Sequence, residues 1–272
     1  MSIVTSDWLI ENLDEVKVID SSWHLPTQNR NAQKEYDSEH IINSIFFDID
    51  KNSNQNTDLP HMLPSEHVWE SIVSSMGISN KDKIIIYDNS DVISSCRCWY
   101  TFRYFGHDPS LVYVLDGGLK KWRQEKKPTV NLKTVINSTN YKAKENKDMV
   151  KSKFQINKNI ETKNFKLIDA RSYERFKGIV PDIRPNVRSG SIEGSICLPF
   201  TQIINKNNNT FKNRADLKQI FEKVISSQDN NVVFSCGSGV TASVLALAYS
   251  LINTKYIPSI YDGSWSEYGL IK

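Results

Sequence analysis

The sequence predicts two α/β domains in tandem, each a mainly parallel sheet flanked by helices on both faces. Three observations carry that prediction. Short apolar, β-branched runs alternate with amphipathic helical stretches, a pattern that joins parallel strands through helical crossovers rather than hairpins. The order of these segments repeats after about 150 residues, and self-similarity at a fixed period marks a duplicated unit. Finally, 272 residues hold one large or two medium domains, and either can bury an adequate core.

Taken in order, the first copy has an apolar strand ending in aspartate, Val16-Lys17-Val18-Ile19-Asp20, matched by Phe165-Lys166-Leu167-Ile168-Asp169. Glu39-His40-Ile41-Ile42-Asn43-Ser44-Ile45 is followed in the second copy by Gly190-Ser191-Ile192-Glu193-Gly194-Ser195-Ile196. Lys83-Ile84-Ile85-Ile86-Tyr87-Asp88 aligns with Asn231-Val232-Val233-Phe234-Ser235-Cys236, and Val114-Leu115-Asp116-Gly117-Gly118 with Ile260-Tyr261-Asp262-Gly263-Ser264. Helices are predicted over 69–76, 99–105 and 217–225. These matches place the domains at 12–131 and 161–272. Residues 132–160 are rich in Lys and Asn and poor in apolar periodicity, and they read as a linker.

Composition narrows the function. Apolar residues at 39% and charged ones at 24% are ordinary for a soluble globular chain. A net charge of +3, with lysines scattered, gives no nucleic-acid footprint. No apolar run is long enough to span a membrane, and the opening Met1-Ser2-Ile3-Val4-Thr5-Ser6 lacks the pattern of a secretory signal. Four cysteines without framework spacing suit a reducing compartment. Cys96 and Cys98, two apart on a predicted helix, diverge too far to chelate. The expectation is a cytoplasmic monomer with no metal, no cofactor, no membrane contact and no nucleic-acid partner.

The chemistry concentrates at Cys236. Val232-Val233-Phe234-Ser235 reads as a strand, Cys236-Gly237-Ser238-Gly239-Val240-Thr241 as a tight loop, and the run from Ala242 as a helix. Backbone N–H groups at a helix N-terminus make an anion-binding concavity, and a thiol placed there is favoured as the thiolate. A buried cysteine at a strand end is usually only a small core residue. The two glycines tip the balance, because they mark positive φ or close backbone approach. Position 242, where a cysteine phosphatase needs an arginine, is alanine, so a phosphate dianion is a poor substrate. The first copy carries Asp88-Asn89-Ser90-Asp91 at the same place and is predicted to lack a nucleophile.

The loop resembles the active-site loop of the two-domain rhodanese family, in its 3-mercaptopyruvate sulfurtransferase branch. The likeness extends through Phe46-Phe47-Asp48-Ile49-Asp50, Leu59-Pro60-His61-Met62-Leu63-Pro64, Phe102-Arg103-Tyr104-Phe105-Gly106-His107, Leu115-Asp116-Gly117-Gly118, Asp169-Ala170-Arg171 and Tyr261-Asp262-Gly263-Ser264-Trp265. It implies two tandem rhodanese-like domains and transfer of sulfane sulfur from a small-molecule donor to Cys236. The sulfur then passes to a thiol such as thioredoxin, or to cyanide. By the same likeness, Ser238, His61 and Asp50 form a relay, the first-copy pair meeting Ser238 from the second. Arg175 and Arg184 bind substrate, and Gly237, Ser238, Gly239, Val240 and Thr241 cradle the persulfide. Thiosulfate-using members place cations directly after the cysteine. Gly237 and Ser238 are neutral, which favours 3-mercaptopyruvate, with thiosulfate second. A persulfide carrier or regulatory module without turnover is the alternative of another class. Arg171 reads as a structural ion-pair partner and Arg188 as a loop arginine without a task. The family's Gly-His-Ile-Pro-Gly turn is Gly190-Ser191-Ile192-Glu193-Gly194 here, which predicts a looser turn.

Overall fold

Each copy of the repeat builds its own five-stranded sheet in a computed structural model that describes residues 2–226, 229 and 231–271. The first sheet comprises β1 (Ile3–Val4), β2 (Lys17–Asp20), β3 (Ser44–Phe46), β4 (Ile84–Tyr87) and β5 (Val112–Leu115), in the order β1-β5-β4-β2-β3. The second comprises β6 (Val150–Lys151), β7 (Lys166–Asp169), β8 (Ile196–Cys197), β9 (Val232–Ser235) and β10 (Ile260–Tyr261), in the order β6-β10-β9-β7-β8. Every pairing is parallel. The register sets Asp20 beside Tyr87 in one sheet and Asp169 beside Ser235 in the other. Asp88 and Cys236, one residue on, therefore emerge at the carboxyl edge, where parallel sheets bind ligands.

The crossovers are helical, as the alternation predicts. The first unit contributes α1 (Ser6–Glu11), α2 (Ala32–Ser38), α3 (Glu66–Ser75), α4 (Ser95–Tyr104) and α5 (Gly118–Gln124). The second contributes α6 (Lys153–Thr162), α7 (Tyr173–Lys177), α8 (Arg214–Glu222), α9 (Val240–Ile252) and α10 (Ser264–Tyr268). Starts are chemically marked. Asn213 and Ser172 each accept a first-turn amide, and Ser152 with Gln155 forms a reciprocal capping box. All four residues of β4 and of β9 are buried, because both sheet faces are covered. Phe221 of α8 packs on Phe234 of β9 and Tyr249 of α9, at 6.1 and 5.1 Å between ring centroids. Burial of each such side chain contributes roughly 2–3 kcal/mol.

Both domain boundaries lie earlier than the composition suggests. β1 precedes residue 12, and β6 lies, and α6 begins, inside the stretch 132–160 that reads as a linker. β1 and β6 are each an edge strand of their sheet, and two residues carry too little alternation to be seen as a strand. Residues 132–146 are extended chain laid along the first unit. Thr139 N donates to Ser74 O at 3.0 Å, and the buried Tyr141 ring stacks on His107 at 5.7 Å. By internal contacts the first unit is 1–55, 63–146 and 206–211. The second is 56–62, 147–205 and 212–272. The segment carrying His61 thus belongs to the second unit. Among the described residues no helix is long and apolar enough to cross a membrane, and no group of three or more His, Cys, Asp or Glu could hold a metal ion.

Candidate active site

Cys236 stands where β9 ends, 2% exposed, and only three residues separate it from α9. The two glycines do different things. Gly239 caps α9 with φ +81°, a conformation that disfavours any side chain. Gly237 has an ordinary φ but lies under Arg184, and a Cβ there would stand 3.0 Å from its Nη2. The carbonyls of Cys236 and Gly237 accept from Trp265 N and Ser266 N, both at 2.9 Å. Among the described residues, the N–H groups of Gly237, Ser238, Val240, Thr241 and Ala242 take no acceptor. Open donors in the loop that carries the sulfur, at the positive end of a thirteen-residue helix, are suited to a thiolate and to a second sulfur bound on it.

Arg175 and Arg184 converge through a residue the sequence reading did not single out. Asp182, its side chain 1% exposed, accepts from Arg175 Nη2 at 2.8 Å, from Arg184 Nη1 at 3.3 Å and from the Arg184 backbone N at 3.1 Å. Burial pushes its carboxyl up, but the Arg175 hydrogen bond and charge, then Arg184, outweigh that and hold it below the usual range. Burial lowers the Arg184 guanidinium, Arg175 adds to the fall, and Asp182 and Cys236 hold its proton on. Asp182 therefore joins the two guanidinium forks, of which Arg184 reaches the loop at Gly237 and Ser238. An acid two residues before Arg184 was the available signal. It is a weak one, since such pairs usually serve as surface ion pairs.

His61 and Ser238 meet within the second unit, His61 Nδ1 lying 2.8 Å from Ser238 Oγ. His61 belongs to the first copy of the repeat by sequence, yet residues 56–62 pack with the second unit. His61 is 5% exposed and holds a left-handed backbone at φ +61°. Ser238 Oγ also accepts from Arg184 Nη2 at 3.4 Å. Asp50 lies in the first unit, where its Oδ2 accepts from Trp23 Nε1 at 2.9 Å.

Arg171 and Arg188 have structural partners. Arg171 pairs with Asp169 at 2.7 Å, both side chains 2% exposed, donates to Gly190 O at 2.8 Å, and lies over Trp265 at 4.5 Å. It so ties down the turn whose lost proline predicts looseness. Arg188 lies over the Trp265 ring at 4.6 Å.

Sheet order and site define a tandem α/β protein whose second copy ends its central strand on a cysteine inside an amide loop. The rhodanese-like domain model matches residues 5–125 and 153–270, and the chain belongs to the rhodanese family. It is 37% identical to the mitochondrial thiosulfate/3-mercaptopyruvate sulfurtransferase 1 of Arabidopsis thaliana, over 98% of this chain and 75% of that protein. It is 33% identical to the 3-mercaptopyruvate sulfurtransferase of Mus musculus, over 98% and 91%. The crystal structure of SseA from Escherichia coli, a 3-mercaptopyruvate sulfotransferase, superposes with a TM-score of 0.87 at 31% identity, covering 98% of this chain and 100% of that one.

Proposed function

We propose that this chain is a 3-mercaptopyruvate sulfurtransferase working through a Cys236 persulfide. One observation carries the reading. The loop is uncharged next to the sulfur, while Arg184 and Arg175, joined by Asp182, bring positive charge to it from outside. A donor whose sulfur is remote from its carboxylate fits that separation, with the guanidinium forks holding carboxylate and carbonyl oxygens.

In the first half-reaction the Cys236 thiolate attacks the donor sulfur. The S–C bond breaks, its electron pair goes to carbon, and pyruvate leaves as the enolate, which takes a proton. Arg184 can only donate, so Ser238 Oγ accepts there and its own hydrogen is available to His61 Nδ1 when that ring is neutral with its hydrogen on Nε2. In that state the pair can take the proton of the donor thiol through Ser238 Oγ onto His61 Nδ1, and it returns the same proton by the same path to the enolate carbon. Family likeness assigns Asp50 as the group behind His61. In the second half-reaction an acceptor thiolate attacks the outer sulfur, carries it away as a persulfide, and returns the Cys236 thiolate. Cyanide taking the same sulfur leaves as thiocyanate. The acceptor is a thiol such as thioredoxin, or cyanide, and the enzyme acts as a cytoplasmic monomer.

Thiosulfate is the second donor. Arg184 beside Gly237 gives a sulfonate-like anion a cation near the loop, though none lies within it. Pyruvate and sulfite release, followed for wild type, Cys236→Ser and the Arg175/Arg184→Ala double variant, test the reading. Pyruvate release persisting in Cys236→Ser defeats the covalent route, and faster turnover of thiosulfate than of mercaptopyruvate reverses the donor order.

A further inference from the structure

Ser264 opens α10, is fully buried, and holds a left-handed backbone at φ +49°. That conformation is strained for a non-glycine residue. The first copy has Gly118 at the matching position, with φ +51°, and a glycine carries such a backbone without the penalty. The serine side chain must therefore return something to the fold or to the site.

Its hydroxyl is fully committed to the Cys236 loop. Oγ accepts from Cys236 N at 3.3 Å and from Gly239 N at 3.1 Å, and donates to Tyr261 O at 2.8 Å. A hydroxyl has one hydrogen and two lone pairs, so its capacity is used up. The two amides it takes belong to the first and last residues of the loop between β9 and α9. The next two residues, Trp265 and Ser266, hold the carbonyls of Cys236 and Gly237. The start of α10 thus grips the loop by both ends and by two carbonyls, which leaves the remaining amides free of protein acceptors.

We infer that Ser264 is a positioning residue for sulfur transfer: it fixes the span of the Cys236 loop so that the remaining N–H groups converge on the sulfur. The inference rests on Cys236 being the nucleophile, and it concerns the loop backbone rather than contact with substrate.

The test follows Cys236 alkylation by iodoacetamide against pH in wild type, Ser264→Gly and Ser264→Ala, locating the label by peptide mass and measuring pyruvate release from 3-mercaptopyruvate alongside. Ser264→Gly keeps the left-handed backbone and borrows the first copy's residue, and Ser264→Ala keeps the Cβ. Circular dichroism identifies the folded variant to be used. In that variant the thiolate titration moves up by about one pH unit, labelling at pH 6 slows about tenfold, and kcat falls about tenfold with KM within about twofold. A purely structural serine would lower the melting temperature and leave the titration in place. Unchanged titration and kcat in the folded variant overturn the role of Ser264. A wild-type Cys236 that labels only as an ordinary thiol overturns the nucleophile itself, so the two failures are distinguishable.

Discussion

The loops after β4 and after β9 start from the same backbone and end with opposite chemistry. Leu119 N donates to Asp88 O at 2.9 Å, as Trp265 N does to Cys236 O at 2.9 Å. In the first unit the residue at the strand end is a carboxylate, and its own loop satisfies it. Ser90 N and Ser95 N donate to its two oxygens, both at 2.9 Å. In the second unit the residue is a thiol, and the amides of Gly237 and Ser238 beyond it are left open. The carbonyl of Asp88 also sits so close to Gly118 that a Cβ would collide with it, whereas the second loop makes room for Ser264. An anion site becomes a reactive site only when the loop does not consume its own donors. Duplication supplied the cradle twice, and loop length and one side chain decided which copy kept it open.

A second contrast lies one strand over. Asp169 is neutralised by Arg171, whereas Asp20 has Ser22 at that position and accepts from its N and Oγ. Burial first, against the Ser22 hydrogen bonds, pushes the Asp20 carboxyl up to about 6. One unit therefore stabilises its strand-end acid with an ion pair, and the other tolerates an expensive one.

Importing the first unit's residue into the second is the harshest way to break the comparison. Cys236→Asp should fold, since open amides receive the carboxylate, and should show no gain of a sulfur atom by mass after donor treatment, with pyruvate release lost. Sulfur uptake in that protein would end the assignment of the nucleophile. Next in size, Arg171→Ser leaves Asp169 buried and unpaired, and should lower stability by about 3–5 kcal/mol. A denaturation midpoint equal to wild type would show that the pair contributes nothing net.

Asp20→Asn should act in the opposite sense and only at higher pH. The folded value near 6 lies above the unfolded one, so wild type loses stability as pH rises from about 4 through 6, by up to about 3 kcal/mol. The variant escapes that loss. It should gain over wild type in urea melts at pH 7.5, and the gain should shrink toward zero near pH 4. A gain independent of pH would refute the charge argument. The smallest effect belongs to Asp182→Asn, which keeps an acceptor but loses the charge that joins both arginines. KM for 3-mercaptopyruvate should rise about tenfold, near 1.4 kcal/mol, with kcat less affected. Unchanged saturation would detach Asp182 from substrate binding.

Cys236 and its glycines were legible because strand, tight loop and helix are adjacent in sequence. Arg171 was legible as a structural partner because its aspartate is two residues away. Asp182 was not, since what distinguishes it is burial under two guanidiniums, which no local pattern records. The edge strands β1 and β6 escaped because two-residue strands have no periodicity to read. His61 was visible as a family residue, but its allegiance to the second unit depends on contacts 177 residues apart in sequence.

The amino-acid order alone set the duplicated α/β plan, the loop that presents a sulfur at a helix start, and the loss of that sulfur in the first copy. These follow from short-range propensity and from repetition, both of which are written along the chain. Folding in three dimensions decided which amides stay unpaired, how Asp182 couples two arginines, and that Ser264 closes the loop. Each of those depends on where hydrogen-bond donors point once distant segments have packed, and direction in space is not a property of sequence.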